Sequence, residues 1–171
     1  MVVLTGEWEA RREMITIVDY GMGNLRSVSK ALEYLGQEVA ITADPARVLE
    51  AERLILPGVG AFGDAMAELE ARGLVEPLRR YAQSGRPLLG ICLGMQLLMD
   101  ESEESPGVRG LGLIAGGCRR FRTQLKVPHM GWNRIRQVRP APLFEGLADG
   151  TYCYFVHSYY VVPEVAVVAA G

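Results

Sequence analysis

The segment Pro87-Leu88-Leu89-Gly90-Ile91-Cys92-Leu93-Gly94 constrains the fold more than any other part of the chain. Residues 87–91 are apolar and too few for a helix, which predicts a strand buried on both faces of a parallel sheet. Leu93 to Met99 reads as the helix that follows. Strand, tight turn and helix around Cys92 make a cysteine version of a nucleophile elbow, with the tip residue strained and its side chain exposed. Gly90 and Gly94 let the backbone fold that tightly. A lone cysteine would read as a buried structural residue, but both glycines and both flanking elements favour the elbow.

The rest of the first half repeats the same unit. Ile15 to Val18 is a β-branched strand leading through Gly21 and Gly23 into a helical pattern carried by Leu25, Val28, Leu32 and Leu35. Glu38 to Thr42 reads as a strand, and Asp44-Pro45 caps a short helix with Val48 and Leu49. Leu54 to Leu56 is a third strand, followed by helical stretches around Ala65 to Leu69 and Pro77 to Ala82. Alternation of this kind predicts an α/β fold, a parallel sheet flanked by helices on both faces, with the site at the carboxyl ends of the strands. After residues 101–107 the pattern changes. Residues 113–114, 118–121, 134–138, 152–156 and 165–169 read as strands with no helix between them, so the second half is strand-rich. Charged residues up to Glu13 suggest an N-terminal extension over 1–13, with one domain over 14–171.

Charge excludes some functions. Eighteen basic and twenty acidic residues give a net charge of -2, without the basic excess that grips nucleic acid or anionic lipid. Cys92, Cys118 and Cys153 are odd in number and far apart, arguing against a disulfide framework and for a reducing, cytoplasmic compartment. With only His129 and His157 besides, no run has metal-ligand spacing, and neither a metal nor an organic cofactor is expected. No stretch reaches transmembrane length.

The elbow sets the chemistry. A helix start favours thiolate at Cys92, and the amide of Leu93 is placed to stabilise an oxyanion. Pro57-Gly58-Val59-Gly60 is a glycine-rich turn, a weak signal alone, but it ends the strand before the nucleophile unit, where a second oxyanion donor is needed. Gly21-Met22-Gly23 does not open a dinucleotide-binding fingerprint, because the third glycine would fall on Arg26.

Gly90-Ile91-Cys92-Leu93-Gly94-Met95-Gln96 resembles the nucleophile motif of class I (triad) glutamine amidotransferases. Pro57 to Phe62 resembles their oxyanion strand. Asp19-Tyr20-Gly21-Met22-Gly23-Asn24, Pro128-His129-Met130-Gly131-Trp132-Asn133 and Tyr154-Phe155-Val156-His157-Ser158-Tyr159 resemble, in order and spacing, blocks of one branch, the glutaminase subunits of imidazole glycerol phosphate synthase. The resemblance implies that Cys92 attacks glutamine, with Val59, Gly60 and Leu93 at the oxyanion and Gly58, Gly60, Gln96, Ser158 and Tyr159 holding substrate. It also implies that Asn24, Trp132 and Tyr154 face a cyclase partner of (β/α)₈ barrel fold, which receives the ammonia.

One block of that pattern is missing. The family carries a His-Pro-Glu segment, its His the general base and its Glu the orienter, and the 171 residues contain no such segment. His129 and His157 match non-catalytic blocks. The expectation is a class I fold that is C-terminally incomplete. Two other readings are a glutaminase serving pyridoxal phosphate synthesis, which would share the elbow but not the Gly21 and Trp132 blocks, and a non-catalytic binding module.

Overall fold

The computed structural model describes residues 2–4, 14–164 and 169–170. Its centre is a five-stranded sheet in the order β1-β5-β4-β2-β3, formed by β1 (Val2–Leu4), β2 (Ile15–Val18), β3 (Val39–Thr42), β4 (Arg53–Leu56) and β5 (Leu88–Gly90). The last four run parallel, and β1 lies antiparallel on the free edge of β5, pairing Val3 with Leu89. Residues 1 and 5–13, the rest of the expected extension, lie outside the described residues.

Strand periodicity decides which side chain faces which layer. Ile15 and Ile17 of β2 and Ile55 of β4 point to one face, where Leu25, Val28 and Leu32 of α1 (Leu25–Tyr34) cover them. Val18, Leu54, Leu56 and Leu88 point to the other, against α2 (Pro45–Glu50), α3 (Phe62–Ala71) and α4 (Val75–Gln83). Leu54, Leu56 and Leu88 are almost completely buried, and each such burial contributes roughly 1.5–3 kcal/mol. Asp44 starts α2 as expected, its Oδ1 accepting from the Ala46 N–H at 2.9 Å.

The strand leading to Cys92 is fixed at its start. The Tyr81 hydroxyl donates to the carbonyls of Glu52 and Pro87 at 3.2 and 2.9 Å, and Leu54 N–H reaches Pro87 O at 3.0 Å. Arg86 stacks over the Tyr81 ring at 4.5 Å and donates to Ala51 O and Leu49 O, closing the end of α2.

Beyond β5 the expected helix from Leu93 to Met99 is corrected: α5 is the single turn Leu93–Gln96. Residues from Met99 are drawn into a strand instead, because β6 (Met99–Ser102) pairs in parallel with β7 (Ile114–Arg120). The expected strands at 113–114 and 118–121 are one strand, β7. A run of apolar residues is compatible with either state, and pairing decides.

The second half is strand-rich, as expected. It holds β8 (His129–Arg134), β9 (Arg136–Gln137), β10 (Tyr152–His157), β11 (Tyr159–Pro163) and β12 (Ala169–Ala170). β8 and β10 form an antiparallel ribbon, while β11 joins β7 and β6 in a three-stranded sheet. Of the strand expected over 165–169, residues 165–168 lie outside the described residues.

Candidate active site

Cys92 sits between β5 and α5 with φ +55° and ψ −116°, the one non-glycine positive φ among the described residues. That conformation costs an L residue about 1–3 kcal/mol. It is held from both sides. The Cys92 carbonyl accepts from Met95 and Gln96 N–H at 3.0 and 3.2 Å, and Ile91 N–H bonds Leu56 O at 3.0 Å. A Cβ on Gly90 would lie 2.6 Å from Met95 Cα. Glycine is therefore the residue that lets strand and turn pack this closely, and the Cys92 side chain is left exposed at the tip.

The loop Pro57-Gly58-Val59-Gly60 lies against this elbow. A Cβ on Gly58 would meet Gly94 N at 2.8 Å and Leu93 Cβ at 2.9 Å, and one on Gly94 would collide with the Leu56 carbonyl. Pro57 and Gly58 are buried, Val59 is 54% exposed, and Gly60 has φ +109°. The N–H groups of Gly58, Val59, Gly60 and Leu93 have no hydrogen-bond partner among the described residues. The loop and the elbow thus bring unpaired amides onto two adjoining backbone segments next to the exposed Cys92. The helix behind Cys92 is one turn long, so its contribution is these few amides rather than an extended macrodipole.

Gln96 ends α5 and is largely buried, but its side-chain amide atoms are not sealed in the interior and have no hydrogen-bond partner among the described residues. The Gln96 backbone carbonyl accepts from Cys118 Sγ at 3.6 Å. Cys118 is interior, and burial pushes its thiol up to about 12. Across the ladder Cys118 faces Val161, which ties the β7 and β11 pair to the elbow.

Ser158 and Tyr159 lie where the chain leaves the ribbon for the three-stranded sheet. The Ser158 carbonyl accepts from Phe121 N–H at 3.1 Å, and the Tyr159 carbonyl from His157 Nδ1 at 2.9 Å. That contact puts a proton on Nδ1. His157 also packs edge-on to Phe121, and His129 Nε2 accepts from Asn133 Nδ2 at 3.0 Å. Neither imidazole is hydrogen-bonded to Cys92.

Asn24 caps α1, its Oδ1 accepting from Ser27 N–H at 3.2 Å. Trp132 and Tyr154 are directly cross-strand on the ribbon, with ring centroids 5.5 Å apart. Met130, Trp132, Tyr154 and Val156 form an exposed apolar face, Trp132 being 66% exposed.

Sequence reading overlooked two features. Tyr20 is 1% exposed and donates to Pro57 O at 2.9 Å. Glu104 and Ser105 accept from the Phe62 and Gly63 N–H groups at 2.8 and 2.9 Å, capping α3 where the glycine loop ends. The Ser-Pro turn at 105–106 offered no sign of a target 42 residues away.

The family profile described as Glutamine amidotransferase class-I matches residues 16–170. The chain belongs to that family. Among class I amidotransferases it is 57% identical to "Imidazole glycerol phosphate synthase subunit HisH" of Syntrophotalea carbinolica, over 92% of this chain and 80% of that protein. It is 55% identical to the HisH subunit of Moorella thermoacetica, over 92% and 75%. A crystal structure of a glutamine amidotransferase superposes with a TM-score of 0.70 at 21% identity, over 90% of this chain and 78% of the other. PurLQS from Thermotoga maritima gives 0.67 at 22%, over 92% and 73%. The amidotransferase fold expected from the sequence is thus the fold of these structures.

Proposed function

We propose that this amidotransferase is the glutaminase subunit of imidazole glycerol phosphate synthase, which hydrolyses glutamine to glutamate and delivers ammonia to a cyclase subunit for histidine biosynthesis. The observation that carries the reading is Cys92, held exposed at positive φ between Gly90 and Gly94 in an elbow that packs against a loop of unpaired amides. The identity to HisH proteins over most of the chain supports the pathway.

In this mechanism the Cys92 thiolate attacks the side-chain carbonyl of glutamine. The carbon becomes tetrahedral, and its oxyanion is received by the N–H of Leu93 and by one from Val59 or Gly60. The amine takes a proton and leaves as ammonia, giving a γ-glutamyl thioester. Water, losing a proton, then releases glutamate and restores the thiol. Gly58 and Gly60 let the loop backbone approach the substrate. Gln96, with its unspent amide, and the backbone of Ser158 and Tyr159 hold its amino-acid end.

Ammonia released into water is protonated and lost as a nucleophile, so the product calls for a sealed partner. The cyclase, a (β/α)₈ barrel, docks on the surface carrying Asn24, Trp132 and Tyr154. Residues 14–171 act as one domain, in the cytoplasm. Among the described residues no helix is long and apolar enough to cross a membrane.

General acid–base groups contribute ~10²- to 10⁴-fold, and the imidazoles of His129 and His157 are engaged elsewhere. Glutamate release by the cyclase-bound complex tests the reading. The 171-residue chain is expected to turn over slowly, a chain extended by a relative's His-Pro-Glu segment rapidly, and Cys92→Ala not at all. Rapid turnover by the 171-residue chain, lost in His157→Ala, would make His157 the base and overturn this assignment of roles.

A further inference from the structure

The glycine loop is tied at its two ends and untied between them. At the start, the Tyr20 hydroxyl donates to Pro57 O at 2.9 Å. At the far end, Glu104 and Ser105 accept from Phe62 and Gly63 N–H. Between these points the N–H groups of Gly58, Val59 and Gly60 have no partner among the described residues, and only Val59 and Gly60 are exposed.

In a trans peptide the carbonyl and the following N–H point in opposite directions. Holding Pro57 C=O against Tyr20 therefore fixes the direction of Gly58 N–H on the side away from the phenol. Space enforces the same arrangement, since a Cβ on Gly58 would lie 2.6 Å from the Tyr20 oxygen as well as against Gly94 and Leu93. The next peptides are not restrained in this way. Gly60 reaches φ +109° with the Met22 methyl beside it, and Met22 belongs to the same turn as Tyr20.

We propose that Tyr20 is a positioning residue of the glutaminase site: its hydroxyl anchors the Pro57–Gly58 peptide, so that any reorientation that completes the oxyanion hole is confined to the Val59–Gly60 segment. This rests on the glutaminase reading above. The anchor stays a donor across the working pH range. Burial first, and then the negative charge of a Cys92 thiolate, push the phenol well above its ordinary value, so it remains protonated. Asp19 beside it serves the turn differently, its Oδ1 accepting from Gly21 N–H at 3.0 Å.

Tyr20→Phe removes the hydroxyl and keeps the buried ring. Two reagents then separate positioning from general damage. Iodoacetamide alkylates Cys92 by displacement at carbon and needs no oxyanion donor. An aryl γ-ester of glutamate acylates it through a tetrahedral oxyanion and expels a phenolate, which needs no proton from the enzyme. Phenolate release by the 171-residue chain, corrected for spontaneous cyclisation, reports that step.

In Tyr20→Phe the acylation rate is expected to fall about tenfold at saturating ester, with the concentration for half-saturation and the alkylation rate unchanged. A misplaced oxyanion donor is felt in the rate of the step rather than in binding. Glu104→Ala frees the other end without touching the buried ring, and the same split is expected there. Equal acylation in wild type and both variants would overturn the proposal, as would parallel loss of alkylation and acylation in both. A wild-type chain that is alkylated at Cys92 but forms no γ-glutamyl thioester would instead overturn the glutaminase reading beneath it.

Discussion

Gly94 packs its Cα against the carbonyl of Leu56 so closely that no β-carbon fits between them. The contact joins the turn after Cys92 to the strand that feeds the glycine loop, and Ile91 N–H bonds the same carbonyl at 3.0 Å. Gly94→Ala must push the two backbones apart. It is expected to lower stability by about 1–3 kcal/mol, read as a fall in the urea midpoint, and to slow Cys92 labelling. An unchanged midpoint and labelling rate would show that the elbow and loop do not depend on each other's position.

The aromatic pair on the ribbon separates binding from folding. Trp132 and Tyr154 lean on each other at 5.5 Å while remaining largely exposed. Trp132→Ala should cost the isolated chain about 1 kcal/mol, the scale of a cross-strand pair. Affinity for the cyclase subunit should fall by roughly 2 kcal/mol or more, as for an aromatic interface anchor. Titration calorimetry or interferometry decides it, and unchanged affinity would count against this docking face.

Alkaline pH should weaken the fold. Burial raises the Cys118 thiol from 9.0 to about 12 and the Tyr81 phenol from 10.0 to about 12. Both groups are neutral when protonated and hold their protons longer in the folded chain. Their contribution is fully present below pH 9 and is lost as pH rises from 9 to 12, because the unfolded chain binds fewer protons there. Chemical denaturation at pH 7, 9 and 10.5 should give a flat stability between the first two and a decline at the third. Cys118→Ser should reduce that decline.

Much of this was legible from residues 15–18, 54–56 and 87–94, where β-branched or apolar runs meet glycine turns and local sequence dictates local structure. Cys92 stood out for the same reason: strand, glycines and turn are neighbours in the chain. What escaped was set by partners distant in sequence. Met99–Ser102 is a strand because it pairs with β7, though its apolar start continues a helical pattern. The polar His129–Arg134 run carries a weak strand signal, and its six-residue register with β10 supplies the rest. Tyr20 was read only as part of a glycine turn, since nothing local marks Pro57, 37 residues on, as the acceptor of its hydroxyl.

The central claim is that Cys92 is the nucleophile of a glutamine-hydrolysing site, and a diazo ketone analogue of glutamine tests it most directly. Its recognition requires the amino-acid end of glutamine, and its chemistry requires a reactive thiolate. Intact mass and peptide mapping of the 171-residue chain should find one adduct, on Cys92. Excess glutamine should slow its formation, and Cys92→Ala should abolish it while Cys118 and Cys153 stay unmodified. Labelling mainly at Cys118 or Cys153, or an equal rate with and without glutamine, would contradict the account.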